Sequence, residues 1–289
     1  MTTLPTISIV TPSYNQAAFL DAAIGSVLGQ NYPVAEYVVI DGGSSDGSVD
    51  IIRRHADRLH YWISEPDNGQ YDAINKGFAH TTGEIMAWLN SDDQYTPWAF
   101  RIVAEIFANF PQIDWLTTLF PIVWDLRGQA ARTGSVPGFS RQGFWRGEHL
   151  PNAGWYATCI VQQESTFWRR SLWERAGGRI DTSVKMAGDF ALWAKFYSIT
   201  DLYGVKTTLG GFRVHPDQKT AHLLSEYTAE AAQVLSSYGA RPYSALESLI
   251  RSRFLKYIPV RLALLLKLRY PYPIVNHVDR EDRWKVEWL

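Results

Sequence analysis

Four short polar loops in the first hundred residues carry most of the side chains that could do chemistry. Each loop follows a run of apolar or β-branched residues, and the loops are residues 11–15, 41–46, 65–70 and 90–93. If those runs are parallel strands, the loops meet at the sheet edge where α/β proteins bind ligands. Asp92 and Asp93 offer the hard oxygen ligands that Mg²⁺ or Mn²⁺ accepts, alongside water and phosphate. Asp41 could accept a hydrogen bond from a ribose or a base, so the pattern predicts a nucleotide–metal site.

The charge of the chain is unevenly distributed along it. The formal net charge is −1, but residues 1–100 contain 4 Lys/Arg against 12 Asp/Glu, and residues 101–240 contain 14 against 12. Residues 241–289 contain 10 Lys/Arg against 5 Asp/Glu. The acidic first part argues against a nucleic-acid partner, because phosphate backbones attract basic surfaces.

The remaining composition indicates a globular protein of the cytoplasm. A single cysteine, Cys159, excludes an intramolecular disulfide framework. The first residues lack the basic and apolar regions of a secretory signal. The sequence contains no uninterrupted run of 18 apolar residues, so we expect no membrane-spanning helix. We therefore expect a cytoplasmic protein, with peripheral attachment to the inner face of the plasma membrane as a further expectation.

Alternating strand and helix patterns predict βαβ units and a mostly parallel sheet, an α/β fold. The predicted strands are residues 7–10, 37–40, 60–63 and 84–89, and the predicted helices between them are residues 17–30, 48–59 and 71–79. Further along, the pattern predicts helices at residues 98–110, 171–176, 190–198 and 223–238, a strand at 114–124 and a long loop at 125–155.

The segment from Ser244 to Tyr270 predicts one or two helices in which basic residues alternate with aliphatic and aromatic ones. Such helices suit the surface of an anionic membrane. The same pattern also fits a helix that packs on the domain and exposes a solvated basic face. The sequence does not distinguish the membrane-surface helix from the packed helix.

Seven stretches of the chain, in order and at fitting spacing, resemble family 2 glycosyltransferases of the GT-A fold, the inverting type found in bacterial surface-glycan synthesis. The stretches on the donor side are Ile9–Asn15, Val39–Ser48, Ser64–Gly77 and Leu89–Asp93. Those that resemble the acceptor-side motifs are Gln163–Trp168, Gly188–Trp193 and Gly211–Pro216. The resemblance implies a GT-A-type, Rossmann-like sheet with flanking helices, and the residue pattern of the segment from Ser244 to Tyr270 adds a helical C-terminal extension.

The resemblance implies transfer of a sugar from a UDP-, GDP- or dTDP-linked donor to a hydroxyl of a glycan or lipid-linked acceptor, assisted by Mn²⁺ or Mg²⁺. The residues that would bind donor and metal are Thr11, Pro12, Tyr14, Asn15 and Asp41 at the nucleotide, Asp72, Asn75 and Lys76 at the donor and its phosphates, Asn90 and Ser91 beside the metal, and Asp92 with Asp93 as metal ligands. Asn90 stands where the family has the first acidic residue of its metal motif, and an amide supplies no charge.

Inverting transfer needs a base that takes the proton of the acceptor hydroxyl. The resemblance places Asp189 in this role with Glu164 as the reserve candidate, although Asp189 could instead cap a helix. The family often has an acidic residue where Gly188 stands. Side chains that could face the leaving phosphates or the metal are Arg213, His215 and Lys219. Aromatic candidates for stacking on a sugar are Trp145, Trp155 and Trp168, although core packing is the more common role for any one tryptophan.

We expect three parts in the chain: a nucleotide-sugar-binding half (1–100), an acceptor-binding half with the base (101–240), and a basic amphipathic extension (241–289). Two alternatives remain. A non-catalytic nucleotide-sugar-binding scaffold would explain the departures at Asn90 and Gly188. A sugar-phosphate nucleotidyltransferase would need a Gly-rich, Arg-containing loop after the first strand, and residues 11–15 do not have this composition.

Overall fold

A nine-stranded, mostly parallel sheet carries the polar loops of the first hundred residues. The computed structural model describes residues 4–33, 35–151, 160–216, 218, 223–254, 257–258, 260–266, 269–279 and 281–289. Two residues singled out from the sequence, Lys219 and Trp155, lie outside these ranges.

The strands of this sheet follow the order β13-β12-β10-β6-β9-β4-β1-β2-β3. They are β1 (Ile7–Ser13), β2 (Ala35–Asp41), β3 (Tyr61–Ser64), β4 (Ile85–Trp88), β6 (Trp115–Thr118), β9 (Phe167–Arg169), β10 (Tyr203–Val205), β12 (Pro273–Val278) and β13 (Arg283–Trp288). β1 lies between β2 and β4, with Val10 beside Val38 and Trp88, and all three strands run parallel. The four strands predicted from apolar runs are therefore confirmed, and their carboxyl ends lie at one edge.

A smaller, four-stranded sheet has the order β5-β11-β7-β8. Its strands are β5 (Gln94–Tyr95), β7 (Ile122–Trp124), β8 (Ala130–Thr133) and β11 (Gly210–Arg213). The single strand predicted at 114–124 was wrong, because it is divided between the two sheets. Pro121 separates the halves, since it has no backbone N–H to continue a ladder.

Helices cover the main sheet. They are α1 (Ala17–Leu28), α2 (Ser48–Arg54), α3 (Gln70–Ala79), α4 (Ala99–Asn109), α5 (Arg141–Trp145), α6 (Arg170–Arg175), α7 (Gly188–Ile199), α8 (Leu224–Ser237), α9 (Ala245–Phe254) and α10 (Val260–Leu265). In α1, the buried residues Leu20, Ala23, Ile24 and Val27 recur at the three- and four-residue spacing of one helix face. The loop predicted at 125–155 contains both β8 and α5.

Four tryptophans form the centre of the core beneath β4, β6 and β9. Trp88, Trp115, Trp168 and Trp193 are all buried, and Trp88 stacks on Trp193 with ring centroids 5.9 Å apart. The prediction that Trp168 stacks on a sugar was wrong, because its side chain is fully buried. Trp145 is half-buried and packs against Phe144.

The C-terminal part contains the two expected helices, α9 and α10, and also a hairpin that the sequence analysis did not predict. β12 pairs in parallel with β10, and β13 pairs antiparallel with β12, so both strands extend the main sheet. The division of the chain at residue 240 stays a prediction.

Candidate active site

The first two polar loops are joined by hydrogen bonds at Asn15. Its backbone N–H donates to Ser44 Oγ at 2.8 Å, and its Oδ1 accepts from the N–H of Ser45 at 3.0 Å. Asn15 has a φ of 51°, in the left-handed region that asparagine tolerates better than most residues. Asn15 and Tyr14 are both exposed, and the Tyr14 ring is 63% exposed, so it is free to stack on a base.

The other predicted residues of these loops lie beneath the surface. Thr11 is fully buried, with its hydroxyl 3.0 Å from Tyr37 Oη, and Pro12 is also buried. Asp41 is fully buried, and its carboxylate accepts four hydrogen bonds. Its donors are the N–H groups of Gly43 and Ser44 and the hydroxyls of Ser44 and Ser64. In this structure Asp41 therefore shapes the loop and does not offer a free oxygen to a ligand.

Helix α3 carries a small charged network beside the third loop. The Asp72 carboxylate accepts from the backbone N–H of Asn68 and lies 3.3 Å from Lys76 Nζ. The hydrogen bond from Asn68 lowers the pKa of Asp72, and Lys76 adds to this effect. Lys76 Nζ is also 3.6 Å from Glu65. Lys76 thus lies near two carboxylates, and its contact with the donor phosphates stays a prediction.

The amide of Asn75, in contrast, does not face this network. Its Nδ2 donates to the carbonyl of Ile180 and its Oδ1 accepts from the N–H of Ile180, both at 2.9 Å. The structure therefore does not support Asn75 as a donor contact, because both of its polar atoms join α3 to the segment before α7.

The fourth loop follows β4 and is attached to β11. Asn90 Oδ1 accepts from Gln70, and its Nδ2 donates to Asp93 Oδ2 at 3.1 Å. Asp93 is buried, and its other oxygen accepts from the N–H of Arg213 at 2.9 Å. Burial and the charge of Asp92 raise the pKa of Asp93 well above its usual range. The structure does not support Asp93 as a metal ligand, because both of its oxygens are occupied.

Asp92, the neighbouring residue, is placed differently. Its carboxylate is partly exposed, and Oδ2 lies 3.0 Å from Nε2 of the buried His215. The His215 ring packs on Phe19, with centroids 4.6 Å apart. The Arg213 guanidinium also approaches this loop, since its Nε donates to the Asp92 carbonyl at 2.7 Å. Ser91, between the amide and the carboxylate, is buried.

Several buried polar atoms around this loop have no hydrogen-bond partner among the described residues, among them Arg213 Nη2, His215 Nδ1, Glu164 Oε1 and Tyr95 Oη. Most buried polar atoms are paired in folded proteins. The unpaired atoms of Arg213 and His215, which both contact Asp92, therefore support a polar ligand site at this loop. No cluster of three or more metal-binding side chains occurs in the described part of the chain. Asp92 and His215 could hold a divalent cation together with phosphate and water oxygens, which Mg²⁺ and Mn²⁺ usually retain.

Two carboxylates approach this region from the acceptor side. Glu164 is buried in a short 3₁₀ turn before β9, and Asp189 lies in the first turn of α7. Burial, together with the nearby charges of Asp189 and Asp92, raises the pKa of Glu164 to about 8. Burial raises the pKa of Asp189 to about 6. The predicted metal ligand and the predicted base are thus both near enough to Glu164 for their charges to act on it.

Asp189 is not the N-cap of its helix, because α7 begins at Gly188 and the N-cap residue is Ala187. Its Oδ1 accepts from the N–H of Phe190, and its Oδ2 from the hydroxyl of Tyr227 in α8 at 3.3 Å. The sequence analysis missed Tyr227, and also Tyr71 and Glu230, which hold the backbone before α7. Tyr71 lies inside a recognised motif, but no pattern in the sequence connects it to residue 188.

With this geometry in view, the chain can be compared with known proteins. Residues 8–158 match the model of glycosyl transferase family 2, and the chain belongs to this family. Its fold, with a large mostly parallel sheet, is the GT-A fold.

Among individual proteins, the chain is similar to an uncharacterized glycosyltransferase of Mycobacterium tuberculosis, at 32% identity over 197 residues, or 67% of this chain and 70% of the relative. Its fold is similar to that of S. aureus TarS (residues 1–349) in complex with UDP-GlcNAc, with a TM-score of 0.58, 14% identity and coverage of 91% of this chain and 76% of TarS. It is also similar to the mannosyltransferase PcManGT from Pyrobaculum calidifontis in complex with GDP-Man and Mn²⁺, with a TM-score of 0.55, 20% identity and coverage of 91% and 81%. This protein is therefore a glycosyltransferase by family.

Proposed function

We propose that this protein transfers a sugar, with inversion, from a nucleoside-diphosphate donor to a hydroxyl of a glycan or lipid-linked acceptor. Asp189 is the general base, and Asp92 with His215 holds Mn²⁺ or Mg²⁺. The observation that carries the proposal is the Asp92–His215 pair, 3.0 Å apart and beside the unpaired Arg213 Nη2, together with Asp189, whose charge acts on the same buried Glu164 as the charge of Asp92.

The donor is a UDP-, GDP- or dTDP-linked sugar. The exposed Tyr14 and Asn15 meet the nucleotide at the ends of β1 and β2, and Lys76 with Asp72 lies farther along the same edge. Support for this class of donor comes from two proteins of similar fold, which were solved with UDP-GlcNAc and with GDP-Man.

The reaction forms one bond and breaks another at the anomeric carbon. The acceptor oxygen attacks that carbon from the side of Asp189, whose carboxylate takes the hydroxyl proton. The bond from the anomeric carbon to the phosphate oxygen breaks, and the nucleoside diphosphate leaves with the electron pair. A divalent cation, when bound, neutralises charge on the leaving diphosphate. The unpaired Arg213 Nη2 would contribute a donor to the same oxygens. Lys219 stays a prediction, since it lies outside the described residues.

The two candidate bases differ in their protonation at neutral pH. With a pKa of about 6, Asp189 is mostly ionised at pH 7 and can accept a proton. With a pKa of about 8, Glu164 is mostly protonated at the same pH in the metal-free chain. A general base is most effective when its pKa lies near but below the working pH. The pKa values therefore favour Asp189.

A thermal-shift panel of UDP, GDP, dTDP and their sugars, each with and without Mn²⁺, tests the proposal. We expect one nucleotide series to raise the melting temperature, and to raise it further with Mn²⁺, because a ligand that binds only the folded state stabilises it. If no nucleotide stabilises the protein, the proposal is wrong. Binding without any release of nucleoside diphosphate from the sugar would favour a non-catalytic scaffold.

We further propose that the basic C-terminal segment holds the enzyme at an anionic membrane surface. Residues 241–270 contain seven Lys/Arg and a single acidic residue, Glu247. One of the seven, Arg251, is mostly buried in an ion pair with Glu148 and contributes little to the surface. Exposed aliphatic side chains accompany this charge on α9 and α10, namely Leu246, Leu249, Leu262 and Leu265, and Leu265 is 79% exposed. Exposed leucines beside basic residues are typical of helices that lie in the lipid interface. Within the described parts of the chain, no helix has both the length and the apolar character needed to cross a bilayer.

Flotation with vesicles of phosphatidylglycerol and phosphatidylcholine tests this surface. We expect binding that rises with the phosphatidylglycerol fraction and falls with salt, because charge attraction is screened. Leu246→Glu/Leu249→Glu should reduce binding, whereas the control Leu126→Glu, equally exposed in another part of the molecule, should not. Equal flotation of both variants contradicts the proposal, and a dimer that these changes disrupt would assign the surface to a second copy of the chain.

A further inference from the structure

Helix α8 lies across the N-terminal end of α7, the helix that carries Asp189. Glu230 of α8 accepts hydrogen bonds from three consecutive backbone N–H groups, those of Lys185, Met186 and Ala187, at 3.2, 2.8 and 2.9 Å. Burial opposes ionisation of Glu230, but these three hydrogen bonds outweigh it and lower its pKa. A carboxylate at this place also interacts favourably with the positive end of the α7 dipole.

One turn earlier on the same face of α8, Tyr227 reaches the base itself. Its hydroxyl donates to Asp189 Oδ2 at 3.3 Å, while Asp189 Oδ1 accepts from the N–H of Phe190 at 2.7 Å. Both oxygens of the carboxylate are thus held by the protein, but Asp189 is partly exposed, unlike the buried Asp41 and Asp93, so an acceptor hydroxyl can still reach it. The single helix α8 holds both the backbone that leads into α7 and the side chain in its first turn.

We propose that Tyr227 and Glu230 are positioning residues for Asp189: Tyr227 orients its carboxylate, and Glu230 fixes the backbone that carries it. This inference rests on the proposed role of Asp189 as the base. General-base catalysis requires the base within hydrogen-bond reach of the acceptor hydroxyl, so a rotated carboxylate slows the proton transfer even when the substrates bind normally.

Other titratable groups also face Asp189, and the test has to separate their effects. Tyr71 approaches from α3, and Glu164 from the 3₁₀ turn before β9. Both lie on elements other than α8. Changes confined to α8 therefore isolate the contribution of Tyr227 and Glu230.

The first experiment is a ¹³C-carboxyl NMR titration of the full chain, with Asp189→Asn to assign the Asp189 signal. Wild type should titrate with a pKa of about 6. Tyr227→Phe should raise the pKa further, because the lost hydroxyl stabilises the charged form. The matched control Tyr238→Phe, at the other end of α8, should leave it unchanged. An unchanged Asp189 pKa in Tyr227→Phe overturns the inference for Tyr227.

The second experiment measures release of nucleoside diphosphate from UDP-GlcNAc or GDP-mannose, whichever stabilises the protein, with water as the acceptor. Tyr227→Phe should lower kcat about three- to tenfold at pH 7, with KM for the nucleotide sugar changed less than about twofold. In the pH profile of kcat for Tyr227→Phe, the decrease on the acidic side should move to higher pH. A change in KM alone contradicts a positioning role.

For Glu230, the measurement is hydrogen exchange of the amides before α7. Glu230→Ala should speed exchange at Lys185, Met186 and Ala187 by at least about tenfold, because their acceptor is removed. Glu226→Ala, in the first turn of the same helix, is the control. Glu230→Gln keeps an acceptor oxygen and should restore part of the protection and of kcat. Equal exchange in Glu230→Ala and Glu226→Ala overturns the inference for Glu230.

Failure of this inference differs from failure of the proposed function. If Asp189→Asn releases nucleoside diphosphate at the wild-type rate, Asp189 is not the base and the proposed function fails, regardless of the results for the α8 variants. If Asp189→Asn is inactive but Tyr227→Phe and Glu230→Ala match their controls, only the positioning role fails.

Discussion

The ring of Tyr71 lies against the backbone of Gly188 so closely that a β-carbon at position 188 would stand 2.5 Å from its Cε2 atom. The Tyr71 hydroxyl donates to the carbonyl of Met186 at 2.7 Å and accepts from the N–H of Gly188 at 2.9 Å. Tyr71 therefore fills the space that the side chain before Asp189 would otherwise occupy. The glycine at this position, which departs from the related family motif, is a requirement of the packing and does not indicate a lost function.

A substitution at Gly188 should therefore be costly. Gly188→Ala should lower the free energy of unfolding by about 1–3 kcal/mol, the usual range for overpacking a core. Gly25→Ala in α1, where a β-carbon meets open space, is the control and should stabilise by about 0.5–1 kcal/mol. Both values can be measured by urea denaturation. In a Tyr71→Ala background the cost of Gly188→Ala should shrink, and an unchanged cost would show that Tyr71 is not its cause.

The carboxylate of Asp189 should reduce stability at neutral pH. The folded pKa of Asp189, about 6, lies above the usual value of 3.8, so the folded state binds the proton more tightly. Stability is therefore lost as the pH rises from about 4 to about 6, and the cost is fully present above that. Asp189→Asn removes the charge, so it should stabilise the protein by about 1–3 kcal/mol at pH 8 and by almost nothing at pH 4.

The same variant should lose nucleoside-diphosphate release by at least about 100-fold, the usual contribution of a general base. In wild type, release should fall as the pH drops through about 6, because Asp189 becomes protonated. Thermal melts at the two pH values and release assays from pH 5 to 8 check both statements. A variant that is inactive and also destabilised at pH 8 would indicate a structural role for Asp189.

Glu164 should behave as a neutral acid in the same assays. Its pKa of about 8 means that Glu164→Gln resembles the form present at pH 7. We therefore expect Glu164→Gln to retain at least about half of the release activity, whereas Glu164→Ala, which leaves a cavity, should lose more. Glu164→Gln should be more stable than wild type at pH 9 and equal to it below about pH 4.5. If Glu164→Gln is as inactive as Asp189→Asn, the roles of the two carboxylates must be exchanged.

Local patterns predicted the donor half of the molecule well, because its strands and helices are short, regular and consecutive. Apolar runs indicate β1 to β4 directly, and parallel pairing then places their terminal loops at one edge. The same reasoning did not predict the β12–β13 hairpin, whose main partner, β10, lies about 70 residues away in the chain. A strand that is defined by a distant partner leaves only a weak local pattern.

At the site, too, the sequence indicated which residue types are present but not how the fold places them. Residue types and the family motifs indicated Asp41, Asn75 and Asp93 as ligand contacts, but their hydrogen bonds to the chain leave no free oxygen or amide for a ligand. The roles of Tyr227 and Glu230 depend on α8 crossing α7, which is a tertiary contact between helices 25 residues apart. Spacing along the sequence carries no information about such a contact.

Substitutions of the two adjacent carboxylates after β4 should have different effects on metal binding. Asp92 is partly exposed beside His215, whereas Asp93 is buried with both oxygens bonded to the chain. Asp92→Asn should therefore abolish the extra thermal stabilisation that Mn²⁺ gives to the nucleotide complex, because the ligand charge is lost while the shape is kept. Asp93→Asn should change the Mn²⁺ midpoint less than about threefold but lower the melting temperature of the free protein, since a buried hydrogen bond is disturbed.

Thermal melts during a titration of Mn²⁺ at saturating nucleotide measure the Mn²⁺ midpoint, and a melt of the free protein measures its stability. The exposed Asp50→Asn is the control for both measurements. Metal dependence that survives Asp92→Asn and disappears in Asp93→Asn would reverse the assignment, and loss in both variants would mean that the two carboxylates bind the cation together.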